Sequence, residues 1–229
     1  MSPFVIAIDG PAGSGKGTLA AALARRFGLA HLDTGRLYRA VAALVLDSGA
    51  DPADPAAATA AARRLDAGML GDPRLRGEAV GSAASVVAAI PAVRAALLAF
   101  QQAFAAHPPP PAKGAVLDGR DIGTVVCPDA AVKLFVTASA TERARRRVKE
   151  LRQSGAPAIY QAVLQDIEER DARDSERRVA PLEAAPDAVE IDTTGLGPDA
   201  VLEQACQLVT CALAARYRGG ASSYPAGPG

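Results

Sequence analysis

Phe4-Val5-Ile6-Ala7-Ile8-Asp9 runs directly into Gly10-Pro11-Ala12-Gly13-Ser14-Gly15-Lys16-Gly17-Thr18, and this junction decides the fold. An apolar, strand-like run ends in a glycine-rich loop that carries one lysine. The segment after it spaces Leu19, Leu23 and Phe27 at i, i+4 and i+8 ahead of Gly28, which is one apolar helix face closed by a stop signal. Strand, loop and helix in that order form the context of a phosphate-binding loop. Glycines let several backbone N–H groups converge on one anion. The helix N-terminus adds the positive end of its dipole, and Lys16 brings a full charge to the β- and γ-phosphates. A plain turn would explain Gly10 or Gly15 but not a lysine at this offset. Gly10 through Thr18 are therefore expected to hold a nucleoside triphosphate, with Lys16 as a catalytic cation.

The loop departs from the usual pattern at one position. The residue after Lys16 is Gly17, and the hydroxyl comes one place later, at Thr18. A hydroxyl directly after the lysine ordinarily ligates Mg²⁺. Thr18 either takes that part, which makes it the candidate metal ligand, or binds an α- or β-phosphate oxygen. In the second case Mg²⁺ is held mainly by nucleotide and water, as suits an ion that dehydrates reluctantly. The Gly-Lys-Gly-Thr order resembles nucleoside monophosphate kinases more than GTPases or AAA-type ATPases, and the chain has no Asn-Lys-x-Asp.

Composition narrows the class. A chain of 229 residues suits one α/β domain or a core with a small insert. Hydrophobic residues make up 49%, enough for a sizeable core, although much of that is alanine. Basic and acidic residues balance at 25 each, which argues against a general binder of nucleic acid or membrane surfaces. Aromatics at 4% weaken the case for a nucleic-acid-binding ATPase further. Cys127, Cys206 and Cys211 show no metal-type pairing, and the last two lie in an apolar helical pattern that predicts buried thiols. An odd count fits a reducing cytosol. No signal peptide is expected ahead of the first strand, and no apolar run is long enough to span a bilayer. A monomeric cytoplasmic protein is expected.

Further strands are expected near Leu29–Leu32, Ala115–Leu117, Ala131–Val136 and Ala188–Ile191. Helices are expected near 36–46, 55–65, 92–106, 141–153, 160–173 and 198–216, with a shorter one ending at Pro91. Residues 66–81 read as irregular, 107–111 as an extended linker and 219–229 as a disordered tail. Five strands alternating with helices predict a parallel sheet covered on both faces. Ligands sit beyond the C-terminal strand ends of such a sheet, where Gly10–Thr18, Asp33–Arg39 and Asp118–Asp121 should converge.

Phosphoryl transfer to a phosphorylated acceptor needs charge neutralisation and in-line placement, and guanidinium groups grip phosphate bidentately. Arg39, Arg120, Arg170 and Arg177 are available for this, besides the group from Arg143 to Arg147. Taken alone, Glu168–Arg178 and Arg143–Arg147 read equally as solvated helix faces. Asp118 and Asp121 read equally as turn or N-cap residues.

Several segments together resemble bacterial cytidylate kinases. They are Ile8–Thr18; Leu32-Asp33-Thr34-Gly35 with Tyr38-Arg39; Ala83–Ala88; Pro91–Arg94; Asp118–Val126; and Glu169-Arg170-Asp171 with Asp174 and Arg177–Leu182. The resemblance implies a three-layer P-loop kinase fold and transfer of the ATP γ-phosphate to CMP or dCMP in pyrimidine metabolism, with Mg²⁺ as cofactor. It implies that Arg39, Arg120 and Arg177 clamp the acceptor phosphate, and that Ser85, Arg94 and Asp121 read the cytosine edge. It further implies that Tyr38, Arg170 and Asp174 lie around the ribose, with Thr34 also on the acceptor side. Arg143 and Arg146 are then donor-binding residues at the hinge of a short lid over 146–159. The core would comprise 1–40, 112–145 and 160–218, with the monophosphate-binding region over 41–111. Such kinases usually carry a small three-stranded sheet within that region. Here Leu65–Leu70 passes almost directly to Asp72–Arg76, so a shortened insert is expected.

Overall fold

β1 (Phe4–Asp9) is buried on both faces, and its alternation divides the core. Phe4, Ile6 and Ile8 pack with Leu19, Ala20 and Leu23 of α1 (Lys16–Phe27) and with Val201, Ala205 and Val209 of α8 (Pro198–Gly220). Val5 and Ala7 face the opposite side, toward Leu117 and Ala105. Side chains alternate across a strand, so one apolar run serves two layers. The computed structural model describes residues 2–153 and 155–220.

The sheet has five parallel strands, adding β2 (Ala30–Asp33), β3 (Gly114–Gly119), β4 (Val132–Thr137) and β5 (Val189–Asp192), in the order β2-β3-β1-β4-β5. Asp9 pairs with Gly119, and Asp33 with Asp118. The C-terminal ends of β1, β2 and β3 are thus level, which places the three expected segments side by side. β5 departs from the two-sided burial expected of every strand: only Ile191 is buried, and Val189 is 42% exposed.

Residues 34–113 form a helical layer. α2 (Thr34–Asp47), α3 (Pro55–Arg63), α4 (Glu78–Val87) and α5 (Pro91–Ala106) share a core around Leu37, Val41, Val87, Val93 and Leu97. The stretch read as irregular holds two 3-10 turns, Ala67–Gly71 and Pro73–Arg76. Asp66 and Asp72 start them by accepting from the N–H groups of Gly68 and Arg74. No strand falls between Asp33 and Gly114 among the described residues, so the small sheet of the insert is absent. α6 (Ala140–Gln153) and α7 (Tyr160–Ser175) pack through Ala144, Val148, Val163 and Ile167. Past α7, Ala180 takes the left-handed φ of 50°, and Leu182 N–H donates to Asp174 O.

α8 outlasts its expected end at Arg216 by four residues, and the rest of the expected disordered tail lies outside the described residues. Cys211 is exposed and Cys206 only half-buried, against the burial expected of both, because α8 turns Ala205 and Val209 inward instead. Among the described residues no single helix is long and apolar enough to cross a membrane.

Gly10 sits where β1 becomes the loop, with φ 149°, and a Cβ there would lie 2.0 Å from the Val136 carbonyl oxygen. Neither backbone can yield without breaking the β1–β4 pairing. Gly10→Ala is expected to lose at least about 2 kcal/mol of stability in urea unfolding. A midpoint equal to that of the unsubstituted protein would contradict this packing.

Candidate functional site

The loop leaving β1 wraps the start of α1. Gly13 and Gly15 take φ of 77° and 91°, and no side chain caps α1. The first-turn N–H groups are therefore left for an anion. Lys16 Nζ donates to Pro11 O at 3.1 Å. Burial, then the charge of Arg120, pulls the Lys16 ammonium down to about 7. A cleft of 860 Å³ opens over this loop. Ala12 through Thr18 line it, with Arg39, Arg146 and Arg170 and with the Thr193–Leu202 stretch. Thr18 is exposed to that cleft.

Asp9, the last residue of β1, was missed as a site residue. Its carboxylate accepts the N–H groups of Ile122 and Gly123, each at 2.7 Å. This fixes Asp118–Val126 beside the phosphate loop, and Ile122–Val126 closes a π-helical turn there. Burial pushes the Asp9 carboxyl up to about 6, against the pull of those two N–H donors. The signal for it was a carboxylate at the buried end of a strand.

The expected acceptor-side arginines gather around Asp174. Arg120 Nε donates to Asp174 Oδ2 at 2.8 Å, and Arg177 Nε to Asp174 O at 3.2 Å. Burial would raise the Asp174 carboxyl, but Arg120 and Arg177 hold it below the ordinary range. Cations still exceed anions. Burial, then Arg120, lowers Arg170 to about 10, and burial lowers Arg177 and Arg39 as well. Arg170 Nε and one Arg177 Nη2 are buried with no hydrogen-bond partner. Arg39 Nη1 donates to Leu75 O at 2.8 Å, so the second 3-10 turn positions this arginine.

The expected base readers lie together but are partnered. Arg94 Nη2 donates to Asp121 Oδ2 and Arg94 Nη1 to Ala88 O, with both residues buried. The Arg94 guanidinium lies over the Tyr38 ring, 5.5 Å from its centroid. Tyr38 thus supports Arg94 from below, and burial raises its phenol above the ordinary value. Ser85 is buried and accepts from Arg173 Nε at 3.4 Å. Arg173, on α7, was not anticipated; its only signal was membership in the charged run.

Two expected ligand contacts go elsewhere. Thr34 Oγ1 donates to Asp118 O at 2.8 Å, so its hydroxyl joins β2 to β3. Arg143 is buried: its Nη1 donates to Ala12 O and Asp171 Oδ1, its Nη2 to Asp171 Oδ2 and its Nε to Ala138 O. Instead of facing the cleft, it braces the loop from behind, because Asp171 on α7 neutralises it. Arg146 does line the cleft, donating to Thr193 Oγ1 and O at 3.0 and 2.7 Å. Arg145 lies on the solvated face, paired with Glu142, while Arg147, paired with Glu150, lines the cleft beside Arg146.

Two carboxylates, Asp118 and Asp33, close the floor. Asp118 Oδ1 accepts from His31 Nε2 at 2.7 Å. A Cβ built on Gly17 would lie 3.6 Å from Asp118 Oδ2. Burial, then the charge of Asp118, raises the Asp33 carboxyl.

Comparisons with known proteins give the family. The family model described as cytidylate kinase matches residues 6–211. A cytidylate kinase of Rhodospirillum rubrum is 58% identical over 206 residues, covering 90% of this chain and 97% of its own. One from a Methylobacterium species is 64% identical over 185 residues, covering 81% and 86%. An uncharacterised protein from Eubacterium ventriosum shares the fold at a TM-score of 0.55 and 15% identity, covering 91% of this chain and 99% of its own. A phosphate loop level with an arginine cluster, within a sequence this similar to those relatives, places the chain in the cytidylate kinase family of phosphotransferases.

Proposed function

We propose that this chain transfers the γ-phosphate of ATP to CMP or dCMP, working as a monomer in the cytoplasm. The observation that carries the acceptor half is the pair of orphaned guanidinium donors on Arg170 and Arg177. Buried charge without a partner is costly; the acceptor's phosphate supplies the acceptor that Arg177 lacks, and its ribose oxygens the one that Arg170 lacks. Arg39, Arg120 and Arg177 then clamp the acceptor phosphate, with Arg170 and Asp174 beside the ribose. The acceptor oxygen is already anionic, so no strong general base is required.

On the donor side the loop amides, Lys16 and Arg146 hold the phosphates, and the α6–α7 end over 146–159 forms the lid that excludes water. The chain supplies oxygen donors suited to Mg²⁺ beside Lys16, namely Thr18 and the carboxylates of Asp118 and Asp33. When bound with ATP, Mg²⁺ neutralises charge on the phosphates. Base choice falls to Asp121, held by Arg94, with Ser85 nearby. A carboxylate oxygen accepts from the N4 amino group of cytosine but meets the O4 of uracil acceptor to acceptor, with no hydrogen between them.

A coupled ADP-release assay with ATP and Mg²⁺ tests the proposal against CMP, dCMP, UMP, AMP, GMP and no acceptor. Turnover confined to CMP and dCMP is expected. ATP binding without turnover on any acceptor would overturn it. Asp121→Ala should lower CMP-over-UMP preference at least about tenfold while leaving the affinity for ATP unchanged; an unaltered preference would remove Asp121 from base reading.

Lys16 gives a pH-linked expectation. Held near 7 by its protein surroundings, it is mostly neutral at pH 8, whereas a bound polyphosphate favours the charged form. ATP binding at pH 8 should therefore take up most of one proton, read by calorimetry in buffers of different ionisation enthalpy. Lys16→Met should abolish that uptake and lose about 3 kcal/mol of transition-state stabilisation. Uptake that persists in the variant would assign the proton elsewhere.

A further inference from the structure

His31 lies on β2 opposite Val116 of β3. Residues two apart on a strand share a face, so its ring points along the same side as Asp118. The contact is direct: Nε2 to Asp118 Oδ1 at 2.7 Å, with the histidine side chain 25% exposed and the aspartate 4% exposed. The tautomer that makes this bond to a carboxylate oxygen carries its hydrogen on Nε2. The same short segment holds the Asp118 backbone, through Thr34 Oγ1 to Asp118 O. Asp118 is thus gripped at its carbonyl and at one carboxylate oxygen. Its other oxygen, Oδ2, faces the Gly17 edge of the phosphate loop.

That aim matters because of what surrounds it. Lys16 and Arg120 lie close enough to act on one another's charge, and Asp118 acts on Lys16. A freely turning Asp118 could pair with Lys16 and occupy the ammonium that the donor phosphates need. With Oδ1 engaged by His31, the carboxylate stays turned toward Gly17, whose missing side chain leaves it room. Resting on the phosphotransfer reading above, we propose that His31 is a positioning residue, which holds Asp118 against the phosphate loop and away from Lys16 so that the site takes Mg²⁺-bound ATP productively.

His31→Ala and His31→Gln test this in the full chain; glutamine keeps an N–H donor on a side chain of similar reach. Calorimetric titration of ATP with Mg²⁺ and with EDTA gives the factor by which the ion improves affinity. His31→Ala should shrink that factor and lower kcat about tenfold, with KM for CMP unchanged, and His31→Gln should restore most of both. A His31→Ala protein with the unsubstituted factor and kcat would overturn the proposal. So would losses that glutamine does not restore, since those mark a packing role only. Should the unsubstituted protein fail to phosphorylate CMP, the kinase reading fails, yet the ATP titration still decides the role of His31.

Discussion

The Asp9 carboxylate is the constraint on which the site depends. It ends the central strand, one residue before the phosphate loop begins, and takes both N–H groups that open the Ile122–Val126 turn. Donor loop and acceptor loop are therefore fixed to one side chain. Burial raises its carboxyl from the ordinary 3.8 to about 6. The sign follows from linkage: the folded form holds its proton more tightly than the unfolded one. Above about pH 6 the ionised, buried Asp9 opposes folding, and that penalty fades as pH falls toward 4. The two N–H donors offset part of the penalty, and their loss would leave both loops without a common anchor.

The second constraint is an excess of positive charge that the protein does not itself neutralise. Asp174 serves Arg120 and touches Arg177, Asp171 is taken by Arg143, and Asp121 by Arg94. Among the described residues Arg39 is tied only to a carbonyl, while Arg170 and Arg177 keep orphaned donors. Lys16 and Arg170 respond as crowded cations do, with proton affinities lowered by burial and by Arg120. Fixed guanidinium groups require no reorganisation when an anion arrives, which is the form of electrostatic assistance that phosphoryl transfer uses most.

What was legible in the sequence is what backbone pattern dictates. The strand-loop-helix junction, five strands and their parallel order of use follow from apolar runs and punctuation, and the three strand-end segments do meet. Element ends moved by at most four residues, and several did not move. The two 3-10 turns were missed because Asp66 and Asp72 start them locally, without any apolar period. Side-chain pairing was less legible. Arg143 and Arg146 are indistinguishable in a run of arginines, and only the position of Asp171 one helix away decides which braces the loop and which lines the cleft. Likewise nothing local says that Arg94 rests on Tyr38 or that His31 reaches Asp118.

Those long-range pairings bear on how a site so rich in charge would choose. Asp118, Asp121 and Asp174 each have a nitrogen partner from another element, so each presents a held, directional oxygen instead of a mobile charge. Asp121 keeps its orientation because Arg94 is itself wedged between Tyr38 and the Ala88 carbonyl. A carboxylate free to swing would solvate uracil as readily as cytosine by turning away from O4. Discrimination by a fixed acceptor works only where that acceptor cannot turn away. If Asp121 reads the base as proposed, the rigidity of the Arg94–Asp121 pair, more than the bare presence of an acid, is what gives the choice its energetic basis.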